Sequence, residues 1–308
     1  PKEDGNTLPL NVILNSDRDG NNTGRIRLGN TIIKSNGGDI TLGGGANPSN
    51  EFSYGAESGI ILSNTRLISD GGDISLRGSG AQFAGVRLAN SSLIDSGNGR
   101  IFIEGQGTAQ GGESSAAVNI GFTFDGTLSD SSTPQDIASS NVSIISSNTN
   151  PDAITIVGRG PTEGDAVNVA GVAIQLNSGV FSVGDGGGIR IEGTGGVGVR
   201  GGAAAASSRN HGIFLVGGAQ DEEGKNFLTN DMNLPFATIF TRSGPISLTG
   251  NRGGRDSAGI AFGSPNNTLG PQAATTEARI GFLPDVLPVS IRNRSEEHTS
   301  ELQSRPHI

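Results

Sequence analysis

The chain has 308 residues, a net charge of −9 and no cysteine, which excludes a disulfide scaffold and any thiolate metal site. Its 51 glycines follow no Gly-X-Y period, excluding collagen, and no Lys/Arg cluster is present to neutralise nucleic-acid phosphates. Charged residues make up 17% and apolar residues 33%. That is lean for one thick core, yet Ile, Val and Thr are too abundant for a disordered chain, so a thin, repeated core is expected.

The chain opens on Pro1 with no export signal ahead of it and is expected to be an internal piece of a longer protein. No run reaches the roughly 20 apolar residues of a membrane-spanning helix. A first, irregular repeat runs from Leu10 to Ser35, with Ile26/Leu28 and Asn30 as its markers. Inside it, Asp17, Asp19 and Asn21 begin the spacing of a calcium loop. The sixth position is Asn22 and not Gly, and the twelfth is Leu28 and not Glu, so a plain turn is expected.

From there three motifs recur in fixed order. The first is an Ile-x-apolar pair closed by glycine: Gly38-Asp-Ile-Thr-Leu-Gly-Gly44, Gly72-Asp-Ile-Ser-Leu-Arg-Gly78, Gly99-Arg-Ile-Phe-Ile-Glu-Gly105, Asp152-Ala-Ile-Thr-Ile-Val-Gly158, Gly187-Gly-Ile-Arg-Ile-Glu-Gly193 and Gly244-Pro-Ile-Ser-Leu-Thr-Gly250. Apolar residues two apart mark a strand with one buried face. The second motif supplies Ile60/Leu62, Val86/Leu88, Val118/Ile120, Val172/Ile174, Ile213/Leu215 and Ile260/Phe262, each after glycine except the third, which follows Ala117. The third is a short strand introduced by asparagine at Asn64, Asn90, Asn141 and Asn177; Ala237-Thr-Ile-Phe-Thr lacks the asparagine.

Spacing converts the motifs into a fold. Ile60 to Leu67 and Val86 to Leu93 are each seven residues apart, Leu67 to Ile74 is seven, and Leu93 to Ile101 is eight, so the compact repeat from Ile74 to Ile101 is 27 residues. Three short strands, two tight corners and one looser corner fill that length. The expected fold is all-β: one right-handed parallel β-helix, a three-sided solenoid of about seven coils beginning near residues 10, 38, 72, 99, 152, 187 and 244. The Ile40 strand should pair with the Ile74 strand, and the rod should be roughly 30–35 Å long at about 4.8 Å per coil. Corner glycines are expected either to supply positive φ or to let coils approach closely. Asn30, Asn64, Asn90, Asn141 and Asn177 form either a side-chain amide ladder or a row of solvated turn residues.

Gly-Gly-Asp-Ile-Thr-Leu, Gly-Ile-Ile-Leu-Ser-Asn and Leu-Ile-Ser-Asp-Gly-Gly-Asp-Ile-Ser-Leu give the chain, over Leu10 to Asn293, a resemblance to the β-helical region of filamentous-haemagglutinin-like exoproteins, the substrates of two-partner secretion. The resemblance implies an extracellular, cell-surface location, export through an outer-membrane pore, and a role as the structural shaft of an adhesin or exoprotein. Its partner would be a surface, glycan or host ligand engaged by the parent protein. Neither a cofactor nor a metal is implied.

The rival reading is a fragment of a β-helix polysaccharide lyase or hydrolase, which needs carboxylates converging on one face. Asp39 and Asp73 align before the first strand, but Arg100 and Ala153 continue the row; Glu104 and Glu192 are two coils apart with Val157 between them. Tryptophan is absent and Tyr54 is the single tyrosine. His211 lacks a second histidine nearby, Gly184–Gly188 lacks a nine-residue period, and Gly195–Gly202 lacks the Lys-Ser/Thr of a phosphate loop. No catalytic, cofactor or metal residue is therefore assigned. Val118 to Ile144 and Ile213 to Ile239 each span 26 residues, so insertions at 121–140 and 217–235 should leave one corner in coils separated by one, as a binding surface or as tolerated loops. Residues 1–293 read as one β-helical unit. From Arg294 to Ile308 the pattern stops, and Arg294–Ser304 resembles a translated sequencing adapter, a non-native tail that takes His298 and His307 with it.

Overall fold

A computed structural model describes residues 8–21, 23–81, 84–107, 115–121, 141–162, 169–175, 178–197, 210–216, 237–253, 257–263 and 278–282. Every regular element among them is a strand. The first coil is β1 (Val12–Ser16), β2 (Ile26–Gly29) and β3 (Ile32–Lys34); the second is β4 (Ile40–Gly44), a short extra strand β5 (Ser53–Gly55), β6 (Ile60–Ser63) and β7 (Arg66–Ile68). Coil three holds β8 (Ile74–Gly80), β9 (Val86–Ala89) and β10 (Leu93–Asp95), and coil four holds β11 (Ile101–Gly107), β12 (Ser115–Ile120) and β13 (Ser143–Ser146). Coil five is β14 (Ile154–Arg159), β15 (Val169–Gln175) and β16 (Gly179–Ser182). Coil six is β17 (Ile189–Thr194), β18 (Ile213–Val216) and β19 (Ala237–Thr241), and coil seven is β20 (Ile246–Asn251), β21 (Ile260–Gly263) and β22 (Ala278–Phe282).

The strands stack into three sheets, in orders β1-β4-β8-β11-β14-β17-β20, β2-β6-β9-β12-β15-β18-β21 and β3-β7-β10-β13-β16-β19-β22. All strand pairings between coils are parallel, and the isolated bridge from Gly24 to Tyr54 is antiparallel. The described residues form a three-sided parallel β-helix of seven coils, each first strand starting two residues after the expected coil start. Ile40 pairs with Ile74, as the spacing requires.

Register explains the composition. Inward positions stack like on like: Ile40, Ile74, Ile101, Ile154, Ile189 and Ile246 along the first sheet, and Ile60, Val86, Val118, Val172, Ile213 and Ile260 along the second. They belong to one continuous aliphatic core with Leu67, Ile94, Ile144, Val180 and Ile239 from the third. Each buried aliphatic side chain contributes about 1.5–3 kcal/mol, so a small cross-section repeated along an axis replaces one thick core.

One alignment needs correction. Leu93 pairs with Arg66 and faces outward; Ile94 pairs with Leu67 and is fully buried. The cause lies at the preceding corner, where Asn90 and Ser91 both adopt left-handed backbone (φ 51° and 58°) while coil two uses only Asn64 (φ 48°). Coil three therefore carries its extra residue between the second and third strands, not after the third.

The closing glycines act by close approach. A Cβ on Gly78, Gly105, Gly158, Gly193 or Gly250 would lie within 2.2 Å of the carbonyl oxygen of Gly85, Ala117, Gly171, Gly212 or Gly259, the residue that opens the second motif. These two points clasp the corner, whatever length of chain runs between them.

The opposite corner carries a device that the repeats conceal among the more conspicuous glycines. Ser35, Ser69, Ser96, Ser146, Ser182 and Thr241 stack as a fully buried hydroxyl column, each two residues past the inward apolar residue of the third strand. Ser35, Ser69, Ser96 and Thr241 donate to the carbonyl three residues on, at Gly38, Gly72, Gly99 and Gly244, over 2.5–2.8 Å. The Ser69 hydroxyl also reaches Ser96 O at 3.1 Å in the next coil. After Ser146 and Ser182 the corner is longer; Ser146 donates instead to Gly99 O at the same corner one turn earlier (2.8 Å), and Ser182 Oγ has no partner among the described residues.

Two pairs of substitutions test these roles by chemical denaturation. Gly105→Ala should destabilise by about 1–3 kcal/mol, since its methyl meets the Ala117 carbonyl; Gly29→Ala, with open space around it, should be neutral or slightly stabilising. Ser69→Ala should lose about 0.5–1.5 kcal/mol, whereas Ser182→Ala, which removes an unpaired buried hydroxyl, should lose nothing.

Candidate functional site

The aligned acids before the first strand serve the backbone. Asn11 Oδ1 accepts the Asp39 N–H (2.9 Å), Asp39 Oδ1 the Asp73 N–H (2.8 Å) and Asp73 Oδ1 the Arg100 N–H (2.8 Å), each across one coil step. The Arg100 guanidinium closes the staircase on Asp73 Oδ2 at 3.2 Å. The asparagine row is partly an amide ladder: Asn64 Nδ2 donates to Asn30 Oδ1 (2.7 Å), but Asn90 Nδ2 donates to Ser63 Oγ (2.8 Å). Asn177 lies outside the described residues.

On the outer face of the first sheet, Glu104 pairs in register with Arg77 and Val157, and Val157 with Glu192. Glu104 is nearly buried because two guanidiniums clamp it, Arg77 on one carboxylate oxygen and Arg159 on the other. Arg77 is itself fixed: its guanidinium lies 4.4 Å over the Phe102 ring and its Nε donates to Ser49 O at 2.7 Å. Glu192 meets Arg190 at 3.4 Å, and Arg190 also reaches Asp152 at 3.4 Å. Each of these carboxylates faces a cation instead of a second carboxylate, which is the arrangement of a brace and not of an acid–base pair.

The calcium-like turn is closed on itself. Asn21 Nδ2 donates to Asp19 Oδ2 (2.7 Å), Asn21 Oδ1 accepts the Thr23 N–H (2.9 Å), and the Gly20 N–H donates to Asp17 O (2.9 Å). Among the described residues no three His, Cys, Asp or Glu side chains gather as a metal could require. His211 sits where coil six turns from first to second sheet; its Nδ1 accepts the Ala258 N–H at 3.0 Å and its ring lies 5.1 Å from that of Phe214. Gly184, Gly187 and Gly188 pack against backbone carbonyls of Ser147, Asn148 and Pro151, so their role is close approach between coils. Gly195 does the same against Asn210; residues 198–202 of that run lie outside the described residues.

A concave feature appears where coil two departs from the repeat. Leu42 to Ile60 spans 18 residues against ten from Leu76 to Val86. The excess makes a turn held by Glu51, whose carboxylate accepts the Ala46 N–H (2.9 Å), and then β5, which pairs with the end of β8. Beside it opens a cleft of about 540 Å³ lined by Thr23, Arg25, Tyr54, Glu57 and Ser79 among others. Arg25 and Glu57 pair at 2.5 Å across it, and Glu57 is the one carboxylate lining it among the described residues. Among the described lining residues Glu57 stands without a second carboxylate of the kind that glycoside cleavage uses. Sequence reading looked for insertions at the second corner and overlooked this one at the first; the 18-residue gap was its signal.

The roots of the long insertions are placed as expected: β12 and β18 flank β15, two coil steps apart, about 10 Å. Residues 122–140 and 217–235 lie outside the described residues, as does the segment Arg294–Ile308. No described helix is long and apolar enough to cross a membrane.

Together the stacked register and its interlocking surface define a β-solenoid repeat protein. Compared with protein-family models, curated proteins and solved structures, the chain has no match.

Glu104→Gln should cost about 1–3 kcal/mol in urea titration. That is less than the roughly 3–5 kcal/mol of a fully buried pair, because the Arg159 side chain is 53% exposed.

Proposed function

We propose that the chain is a shaft and display segment of a large secreted bacterial surface protein, an adhesin or exoprotein of the filamentous-haemagglutinin-like kind, without catalytic activity of its own. The observation that supports this reading is the use made of polar side chains. The Asn11–Asp39–Asp73 staircase, the hydroxyl column and the Arg77–Glu104–Arg159 clamp all tie one coil to its neighbour. Side chains so engaged lengthen and stiffen a rod; they are not poised over a substrate. The resemblance of the repeats adds the extracellular setting and export through an outer-membrane pore. The ligand, a surface, glycan or host-cell group, is then met by lateral features of the parent protein.

The experiment is a turnover assay. The purified chain is incubated with acidic and neutral polysaccharides, with and without calcium, while unsaturated products and new reducing ends are followed. The shaft reading expects no product above that of the heat-unfolded chain. Release that persists through purification and disappears in Glu57→Gln or Glu104→Gln would overturn it in favour of a lyase or hydrolase.

A further inference from the structure

The cleft beside β5 lies on the flank of the rod, and the feature that makes it, the 18-residue passage from Leu42 to Ile60, is internal to the stack. Tyr54 and Glu57 enter it from coil two, Ser79 from the end of β8 in coil three, and Arg25 from coil one. Its volume of about 540 Å³ falls within the size of small-molecule sites, about 300–1,000 Å³. The backbone around it is fixed from two sides. The Tyr54 carbonyl accepts the Gly24 N–H at 3.0 Å, and the Gly55 carbonyl accepts the Ala81 N–H at 3.0 Å. Tyr54 also pairs in register with Ser79. The half-buried aromatic residue is thus held in place before any ligand arrives.

The side chains decide what fits. Arg25 and Glu57 meet through one guanidinium nitrogen, Nη1, and one carboxylate oxygen, Oε2, at 2.5 Å, and both stay part exposed (38% and 51%). Further guanidinium donors and the second carboxylate oxygen therefore stand side by side within reach of a ligand. No other charged side chain lines the cleft among the described residues. Adjacent donors and acceptors without net charge match vicinal hydroxyl groups, which donate and accept at once. An anionic ligand would meet Glu57 as well as Arg25 and gain little. Tyr54 adds an aromatic surface with a polar tip, suited to the C–H face of a sugar ring. Ser79 is 1% exposed, and its hydroxyl has no partner among the described residues, so the wall holds a donor and acceptor that the fold does not use. We infer that the cleft binds a neutral pyranose, one unit of an uncharged glycan, with Tyr54 against the ring face and the Arg25–Glu57 pair on adjacent hydroxyls. The inference deepens the display reading, on which it rests for its setting, by giving one flank of the shaft a ligand class.

The sequence supplies its own probe. Tyr54 is the single tyrosine and tryptophan is absent, so tyrosine emission of the full chain reports on this cleft alone. Methyl pyranosides of glucose, galactose and mannose, and disaccharides of the same sugars, are titrated against that emission, with methyl glucuronide as the anionic comparison. At least one neutral sugar should give a saturable change with a dissociation constant of about 1 mM, and the glucuronide should bind more weakly. Arg25→Gln and Glu57→Gln, both at part-exposed positions, should each weaken that binding about tenfold and leave the unfolding midpoint unchanged. Arg190→Gln, on the outer face of the first sheet, should bind as the unaltered chain does. A sugar that saturates the cleft and is also cleaved would sink the shaft reading alone. Emission that no neutral sugar moves, tighter binding of the glucuronide, or full affinity in Arg25→Gln and Glu57→Gln would overturn the inference and leave the shaft reading standing.

Discussion

A strand laid along one side of a solenoid has half its backbone polar groups facing the coil below and half facing the coil above. Neither half can be satisfied within the coil itself. Every coil is therefore unstable alone, and the parallel pairing of β4 with β8, of β8 with β11 and onward along the rod is the constraint that the remaining features serve. Once strands must stack in register, a side chain is always above its counterpart, and each inward position must repeat a residue that packs well on itself. The unbroken isoleucine row from Ile40 to Ile246 is the direct result.

The same geometry governs the polar residues. A hydroxyl or carboxylate at a corner lies about one coil step from the next backbone amide, close enough to bond across the gap. Asp39 and Asp73 do this at one edge, and Ser92 and Ser178 do it at another by accepting the Thr65 and Val142 N–H groups at 3.2 Å. Charges on the flat faces behave alike, with Glu104 bridging cations from the coil before and the coil after. Polar chemistry on this molecule is mostly vertical, which leaves the irregular corners, such as the cleft around Tyr54, as the places where the surface departs from pure stacking.

Much of this was legible in the residues because solenoid order is written as repetition. Pairs such as Ile74/Leu76 and Val86/Leu88, at recurring intervals, define strand, face and coil together, and the parallel register follows from aligning them. Leu93 was misplaced because two adjacent apolar residues, Leu93 and Ile94, both satisfy a spacing rule. The decision belonged to Ser91, whose left-handed backbone no pattern of hydrophobicity records. The hydroxyl column was equally present in the text, as Ser or Thr two places after Leu67, Ile94, Ile144, Val180 and Ile239. It went unread because serine at a turn is ordinarily taken as solvated, and only the fold turns that corner inward. The 18-residue gap from Leu42 to Ile60 marks an excursion in coil two, but the shape of the cleft depends on how β5 rejoins β8, which no spacing records.

The glycine clasp carries a consequence for how such a chain can drift over generations. Between the paired points the chain takes seven residues from Gly78 to Gly85, 13 from Gly158 to Gly171 and 19 from Gly193 to Gly212, while the clasp itself keeps the same contact. Gaining a dozen residues there leaves the neighbouring coils where they were; gaining one methyl group at the clasp does not. Mutational tolerance is thus inverted relative to a globular core, where a conservative exchange is mild and a long insertion is disruptive. A lineage built on this corner can acquire, lengthen and discard whole surface excursions as single genetic events, and its most constrained positions are those occupied by the smallest residue.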